Sequence, residues 1–271
     1  GDILTYQHNA PILFSSGLFF FLFIGFLIIY MSLRKHLLTR IIYVTLFSIY
    51  FYYKSSGLFF FLLLFVATSD FCIAQCMAKT TSRWGRKAWV VLSLCVDLGL
   101  LGYFKYFNFL REIVATVAHE LGYQMGNASL QNITYQPLDI FLPVGISFFT
   151  FQTISYVIDV YRGANKAQKN FGKVLLYISF FPQLIAGPIV KYHDVEQEIE
   201  HRTQSADGVA RGIRRFIAGL SKKVLISNVM GMTADALFGA AAGTLGAATA
   251  WVGALSYLFQ IYFDFSGYSD M

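Results

Sequence analysis

This sequence is short of charge. Asp, Glu, Lys and Arg make up 13% of its 271 residues, against roughly 25% in soluble globular domains, while 56% are hydrophobic and the mean hydropathy is +0.55. So few charges cannot cover a water-facing surface, which excludes an ordinary soluble domain and points to the bilayer. Cysteine is scarce too: Cys72, Cys76 and Cys95 sit in apolar runs without the paired spacing of a structural zinc site. No metal is expected, and the three thiols read as small buried hydrophobes. Charge-rich linkers, low-complexity tracts and repeats at solenoid spacing are absent, so residues 1–271 read as one membrane domain. The apolar runs are continuous and lack apolar-polar alternation, which excludes a barrel and leaves an all-α, polytopic helix bundle.

Those runs are Ile12 to Leu33, Ile41 to Tyr53, Leu58 to Ala78, Ala88 to Phe104, Leu138 to Val160, Val174 to Val190, Val224 to Ala240 and Ala248 to Met271. A crossing helix needs about 20 residues, so the first run reads as a permanent span, no small-residue cleavage site following it. Ile41 to Tyr53 is short and is expected to borrow flanking residues. Its closing aromatic cluster, Tyr50 to Tyr53, suits a membrane interface.

Basic loops set the orientation. Arg34, Lys35 and Arg40 follow the first span, and Lys79, Arg83, Arg86 and Lys87 follow the third, placing both loops in the cytoplasm and the N-terminus outside. Leu138 to Val160 then returns to the cytoplasm at Arg162, Lys166, Lys169 and Lys173. The net charge of +6 is accounted for by loops that flank membrane segments, and no nucleic-acid module surrounds them.

The run from Val174 to Val190 is the exception among the spans. Pro182, Gly187 and Pro188 interrupt it, and it carries Gln183. Broken backbone cannot face lipid, because its freed N–H and C=O groups would find no partner there, so protein or a water-filled cavity should cover it. A full crossing would also put the basic stretch Lys191 to Lys223 outside, against the charge rule. The segment is therefore expected to re-enter the membrane and return to the cytoplasmic side, with a proline-kinked ordinary span as the alternative.

Two stretches read as interfacial amphipathic helices. Asp207 to Val224 gathers Val209, Ile213, Phe216, Ile217, Leu220 and Val224 on one face, with Arg211, Arg214, Arg215, Lys222 and Lys223 on others, and Asp207 as a candidate cap. It suits a helix lying on anionic headgroups. Phe107 to Leu121 shows a weaker pattern and is placed on the outer surface.

General bases are most often histidines. His8, His36, His119 and His201 read as surface residues, whereas His193 directly follows AGPIVKY and is placed at a cavity mouth or on the surface beside it. In QIYFDFSGYSDM, residues 260–271, Asp264 and Tyr268 share a helical face. Candidate cavity-lining residues are Gln152, Gln183, Gly187, Pro188, Tyr192, His193, Asp264, Ser266, Tyr268 and Asp270, with polar contacts between helices as the alternative role.

LPVGISFFTFQTISYVIDVYRG, then SFFPQLIAGPIVKYHD, then QIYFDFSGYSDM resemble motifs of the membrane-bound O-acyltransferases (MBOAT), those of alginate O-acetylation in particular. ILFSSGLFFFLF and LGYFKYFNF extend the resemblance over nearly the whole chain. It implies a tunnelled multi-helix fold and transfer of an acetyl group from a cytoplasmic thioester such as acetyl-CoA, with no bound cofactor. A periplasmic acetyltransferase partner and an exopolysaccharide acceptor are implied as well, as is a bacterial cytoplasmic (inner) membrane. In the family a WRRWHISLS pattern and a WHG pattern with the catalytic histidine follow SGYSDM. The chain stops at Met271, so it is expected to be an N-terminal portion without a catalytic residue of its own. D-alanyl transfer to teichoic acid is the sister activity. A transporter would instead show a second broken segment related to the first, and a scaffold would carry no activity.

Overall fold

The computed structural model describes residues 17–33, 36–125, 138–185, 188–200, 205–240 and 246–271, and these fold into helices without a strand. In chain order they are α1 (Gly17–Ser32), α2 (Leu37–Ser56), α3 (Phe60–Lys79), α4 (Arg83–Leu101), α5 (Phe107–Met125), α6 (Ile146–Arg162), α7 (Phe171–Ser179), α8 (Phe181–Ile185), α9 (Tyr192–Glu200), α10 (Ala206–Ser221), α11 (Asn228–Phe238) and α12 (Ala247–Asp270). Two helical stretches, Leu37–Lys79 and Arg83–Leu121, are long and apolar enough to cross a membrane. Large apolar side chains stand outward along the helices, including Phe21, Trp84 and Trp251, each at least 70% exposed. Soluble proteins rarely tolerate such a surface; lipid accommodates it.

The chain divides into two compact units, residues 1–60 with 175–271, and residues 61–174. In the first, α1 and α2 supply a mainly aromatic core of Phe19, Phe26 and Phe51 with Val44, joined by Leu176 and Phe181. The Phe181 ring lies 5.2 to 5.6 Å from those of Phe47, Phe26 and Phe51. The broken run appears here as two short helices, α7 of 9 residues and α8 of 5, too short to cross roughly 30 Å of hydrocarbon at 1.5 Å per residue. At the break, Ser48 of α2 accepts the freed Phe181 N–H at 3.3 Å. Protein thus covers this backbone, as a break in an apolar segment requires.

In the second unit, Arg86 at the start of α4 donates to the Tyr161 and Val160 carbonyls at 2.7 and 3.3 Å, closing the C-terminus of α6. The contact puts the Arg86 loop and the Arg162 end on one side, the side to which the basic loops assign both. Gly57, in the first unit, has φ +60° and ends α2, where a short 3-10 segment leads into α3. That φ is open to glycine and strained for other residues.

Several expectations need correction. Leu138 to Val160 is not one helix: residues 138–143 are irregular, and α6 starts at Ile146 after Pro143 and Gly145, whose φ is +73°. The irregular backbone is held by Asn108, whose amide accepts from the Leu138 N–H at 3.0 Å and donates to its carbonyl at 2.8 Å. Phe107 to Leu121 is no separate surface helix, since a π turn over Gly102–Tyr106 carries α4 into α5 without interruption. Likewise α10 continues through a π turn, Lys222–Ser227, into α11. Ser205 caps α10, accepting from the Gly208 N–H at 3.1 Å, and Asp207 lies within the first turn, where its charge favours the helix dipole. Arg40 is buried in the first turn of α2 over the Tyr30 ring and is no loop residue. Cys72, Cys76 and Cys95 are exposed; an outward thiol in a membrane helix meets lipid, so exposure carries no cost in water.

Candidate functional site

Every side chain of the QIYFDFSGYSDM motif with charge finds a cation on α10 or the π turn after it. Lys223 donates to Asp264 in a short ion pair and stands over the Tyr268 ring at 5.5 Å. Lys222 donates to Ser266 at 3.0 Å and to Asp270 at 2.5 Å. Arg215, two turns back on the same face of α10, reaches the other Asp270 oxygen at 3.2 Å.

The turn that carries the two lysines is π-helical. Such wide turns are rare and tend to accompany functional sites. Close helix approach completes the geometry. Gly219 and Gly267 let the backbones of α10 and α12 meet, Ser227 donates to the Gln260 carbonyl at 3.0 Å, and Gly231 leaves room for the Gln260 side chain. Arg215, Lys222 and Lys223 face only Asp264 and Asp270, leaving one positive charge among these five groups.

Tyr268 and Met271 also wall a small cavity with Phe19, Phe23, Phe181, Pro182 and Phe216. At about 30 Å³ it has room for a water and none for a thioester. Its walls join the aromatic core, the broken segment and the cation-bound motif. Phe216 stacks on Phe23 at 5.0 Å, while Ile213 and Ile217 of α10 stay exposed.

The other sequence candidates are dispersed. Gln183 is half-buried on α8 and Pro188 is exposed. Tyr192 is fully buried, edge-on to Tyr177 at 5.2 Å, whose hydroxyl donates to the Val190 carbonyl at 2.7 Å. His193 is exposed in the first turn of α9, its Nε2 2.8 Å from Asp194. Gln152 is buried in α6, in the other unit. Gly187, His8 and His201 lie outside the described residues, as do Arg34 and Lys35. No histidine among the described residues joins the Lys222–Lys223 cluster, and no three His, Cys, Asp or Glu side chains gather there as metal ligands. Sequence reasoning assigned Arg215, Lys222 and Lys223 to lipid headgroups and so missed their partners. The available signal was a pair of lysines where an amphipathic face gives way to an apolar run.

Comparison with known proteins gives this geometry a context. Residues 164–271 match the model of the membrane-bound O-acyltransferase family, a span that holds both the broken segment and the cluster. The chain is 43% identical over 186 residues to a probable alginate O-acetylase of Pseudomonas aeruginosa, an alignment covering 68% of this chain and 33% of that protein. A probable alginate O-acetylase of Azotobacter vinelandii is 42% identical over 186 residues, with 68% and 34% covered. A peptidoglycan O-acetyltransferase of Helicobacter pylori is 31% identical over 302 residues, covering 100% of this chain and 54% of the relative. The chain thus spans between a third and about half of the length of these relatives.

Proposed function

Since the chain belongs to the membrane-bound O-acyltransferase family, we propose that it forms part of an enzyme that passes an acetyl group from a cytoplasmic thioester, acetyl-CoA, to a hydroxyl of an extracytoplasmic polysaccharide. The observation that carries this reading is the joining of two features within residues 164–271, a protein-covered break in an apolar segment and a lysine-bound polar motif. The first supplies irregular backbone at membrane depth, where such backbone marks a cavity wall. The second fixes charge beside it without a competing base.

In this reading Asp264 and Asp270 hold Lys223 and Lys222 in place, and the four side chains brace α12 against α10 as a tunnel wall. Attack of a hydroxyl on a thioester carbonyl builds an oxyanion, which fixed donors stabilise; the spare positive charge of the cluster favours that charge and the anionic donor alike. The chain contributes the wall and the field. A periplasmic partner that completes transfer to the polymer fits the same scheme.

Alginate is the acceptor suggested by the relatives at 42–43% identity, whereas the relative aligned over the whole chain favours peptidoglycan as a second reading. Deleting the gene and restoring the full-length protein tests both. Ester-linked acetate should fall on deletion and return on complementation, in exopolysaccharide for the first reading and in peptidoglycan for the second. Unchanged acetate in both polymers contradicts the proposal.

A further inference from the structure

Two carboxyl groups sit at the heart of the second unit, and acyl transfer as described above uses neither. Asp70 on α3 and Asp97 on α4 are both fully buried. Ser93, one turn before Asp97 on the same face of α4, donates to Asp70 Oδ1 at 2.8 Å. Thr153 of α6 bonds the Thr150 carbonyl at 2.9 Å and reaches Asp97 Oδ2 at 3.4 Å. Three helices therefore turn oxygens towards one point.

The oxygens can be accounted for one by one. Ser93 satisfies one oxygen of Asp70, and Thr153 shares its one proton between the Thr150 carbonyl and, more distantly, Asp97 Oδ2. The remaining two, Asp70 Oδ2 and Asp97 Oδ1, accept from no N–H or O–H among the described residues, and the two carboxyl groups are neighbours, because Ser93, which bonds Asp70, lies one turn from Asp97 on α4. Two ionised carboxylates with facing lone pairs in an apolar interior repel and leave both oxygens bare, a costly arrangement. One O–H between them satisfies the whole network.

A basic side chain would be the other remedy, and none among the described residues is placed to supply it. The groups meeting the pair from α4 and α6 are Ser93 and Thr153. Arg86 is engaged at the end of α6, with Lys87 over Trp84 nearby. Lys79 and Lys105 stand nine and eight residues along their helices from Asp70 and Asp97, roughly 12 to 14 Å away at 1.5 Å per residue, and Lys105 donates to Ser147. Asp159 and Arg162 lie at the far end of α6.

We propose that Asp70 and Asp97 form a proton-binding site in the membrane, a carboxylic acid donating to a carboxylate, with Ser93 and Thr153 as fixed donors around it. The site ties α3, α4 and α6 together through a single shared proton. It is independent of the cluster on α10 and α12.

Infrared spectroscopy of the full-length protein in lipid vesicles tests this at neutral pH. The wild type should show the carbonyl stretch of a buried protonated carboxylic acid. Asp70→Asn and Asp97→Asn should each abolish that band, because an amide beside the remaining carboxylate donates in place of the proton. Each should also keep the thermal midpoint within a few degrees, while Asp97→Leu should lower it by roughly 5 °C or more. A wild-type spectrum without the band overturns the proposal, as does a band that survives both asparagine substitutions. A midpoint that rises with added Na⁺ or Mg²⁺ in the wild type and not in Asp97→Asn also overturns it, by showing a metal cation between the carboxylates.

Discussion

Gly219 of α10 and Gly267 of α12 face each other so closely that a methyl on Gly219 would lie 2.6 Å from the Gly267 carbonyl oxygen, and one on Gly267 would lie 2.9 Å from the Gly219 carbonyl oxygen. The obstruction in both directions is backbone, which cannot rotate away. This approach brings Lys222 and Lys223 within reach of Asp270 and Asp264, so helix packing and site electrostatics share one cause. Small residues at a crossing serve this purpose in membrane helices generally.

Gly219→Ala should therefore cost about 1 to 3 kcal/mol through overpacking and lower the yield of monodisperse protein in detergent chromatography. Gly212→Ala, on the same helix with nothing within 4 Å, should be neutral or stabilising by up to about 1 kcal/mol. Equal behaviour of the two variants would mean that the crossing is looser than described.

At the ion pair, Asp264→Asn should keep fold and measurable acetylation, because the amide still accepts from Lys223. Asp264→Leu should reduce folded yield by leaving the half-buried Lys223 ammonium without its partner. Adding Lys223→Met to Asp264→Leu should restore part of that yield, as a double-mutant cycle reads coupling. A folded Asp264→Asn protein that has lost all acetylation would place Asp264 in the chemistry instead.

The break before α8 depends on one hydroxyl. Ser48→Ala removes the acceptor of the buried Phe181 N–H and should destabilise by about 1 to 3 kcal/mol, read as a lower thermal midpoint. Ser48→Thr, which keeps the oxygen, should do less harm. If alanine and the wild type melt together, the freed backbone has another partner.

Topology gives a further test. On the expectation that the run from Val174 to Val190 re-enters the membrane, Lys166 and Arg202, the latter outside the described residues, should both be cytoplasmic. Single cysteines at these positions, in a background where exposed Cys72, Cys76 and Cys95 are replaced by serine, should both resist a membrane-impermeant thiol reagent in intact cells. Strong labelling of Arg202→Cys alone would establish a full crossing.

How much of this was legible in the sequence depended on how local the cause was. The helical class, the break just before Pro182 and the apolar spans follow from composition and from backbone chemistry that acts within a few residues. Helix ends were harder. Asp207 looked like a cap, but Ser205 sits where its hydroxyl reaches the third N–H, and α6 began late because Gly145 takes a left-handed φ. The two π turns left no mark on periodicity, so α5 and α10 read as separate surface helices. Asp264 was expected to need a partner, yet Lys223 lies 41 residues away in sequence, and only tertiary packing selects it. Asp70 and Asp97 passed unnoticed as isolated acids in two apolar runs, since what makes them a pair is the alignment of α3 with α4.

The central claim, acetyl transfer across a membrane, is tested most directly by reconstitution. Full-length protein in lipid vesicles, oriented with its basic loops outward and enclosing an acceptor polysaccharide and the periplasmic partner, would be given acetyl-CoA carrying a radiolabelled acetyl group. The account predicts label ester-linked to the enclosed polysaccharide, together with release of free CoA outside. Folded protein that leaves the enclosed polymer unlabelled while the acetyl-CoA stays intact would contradict it.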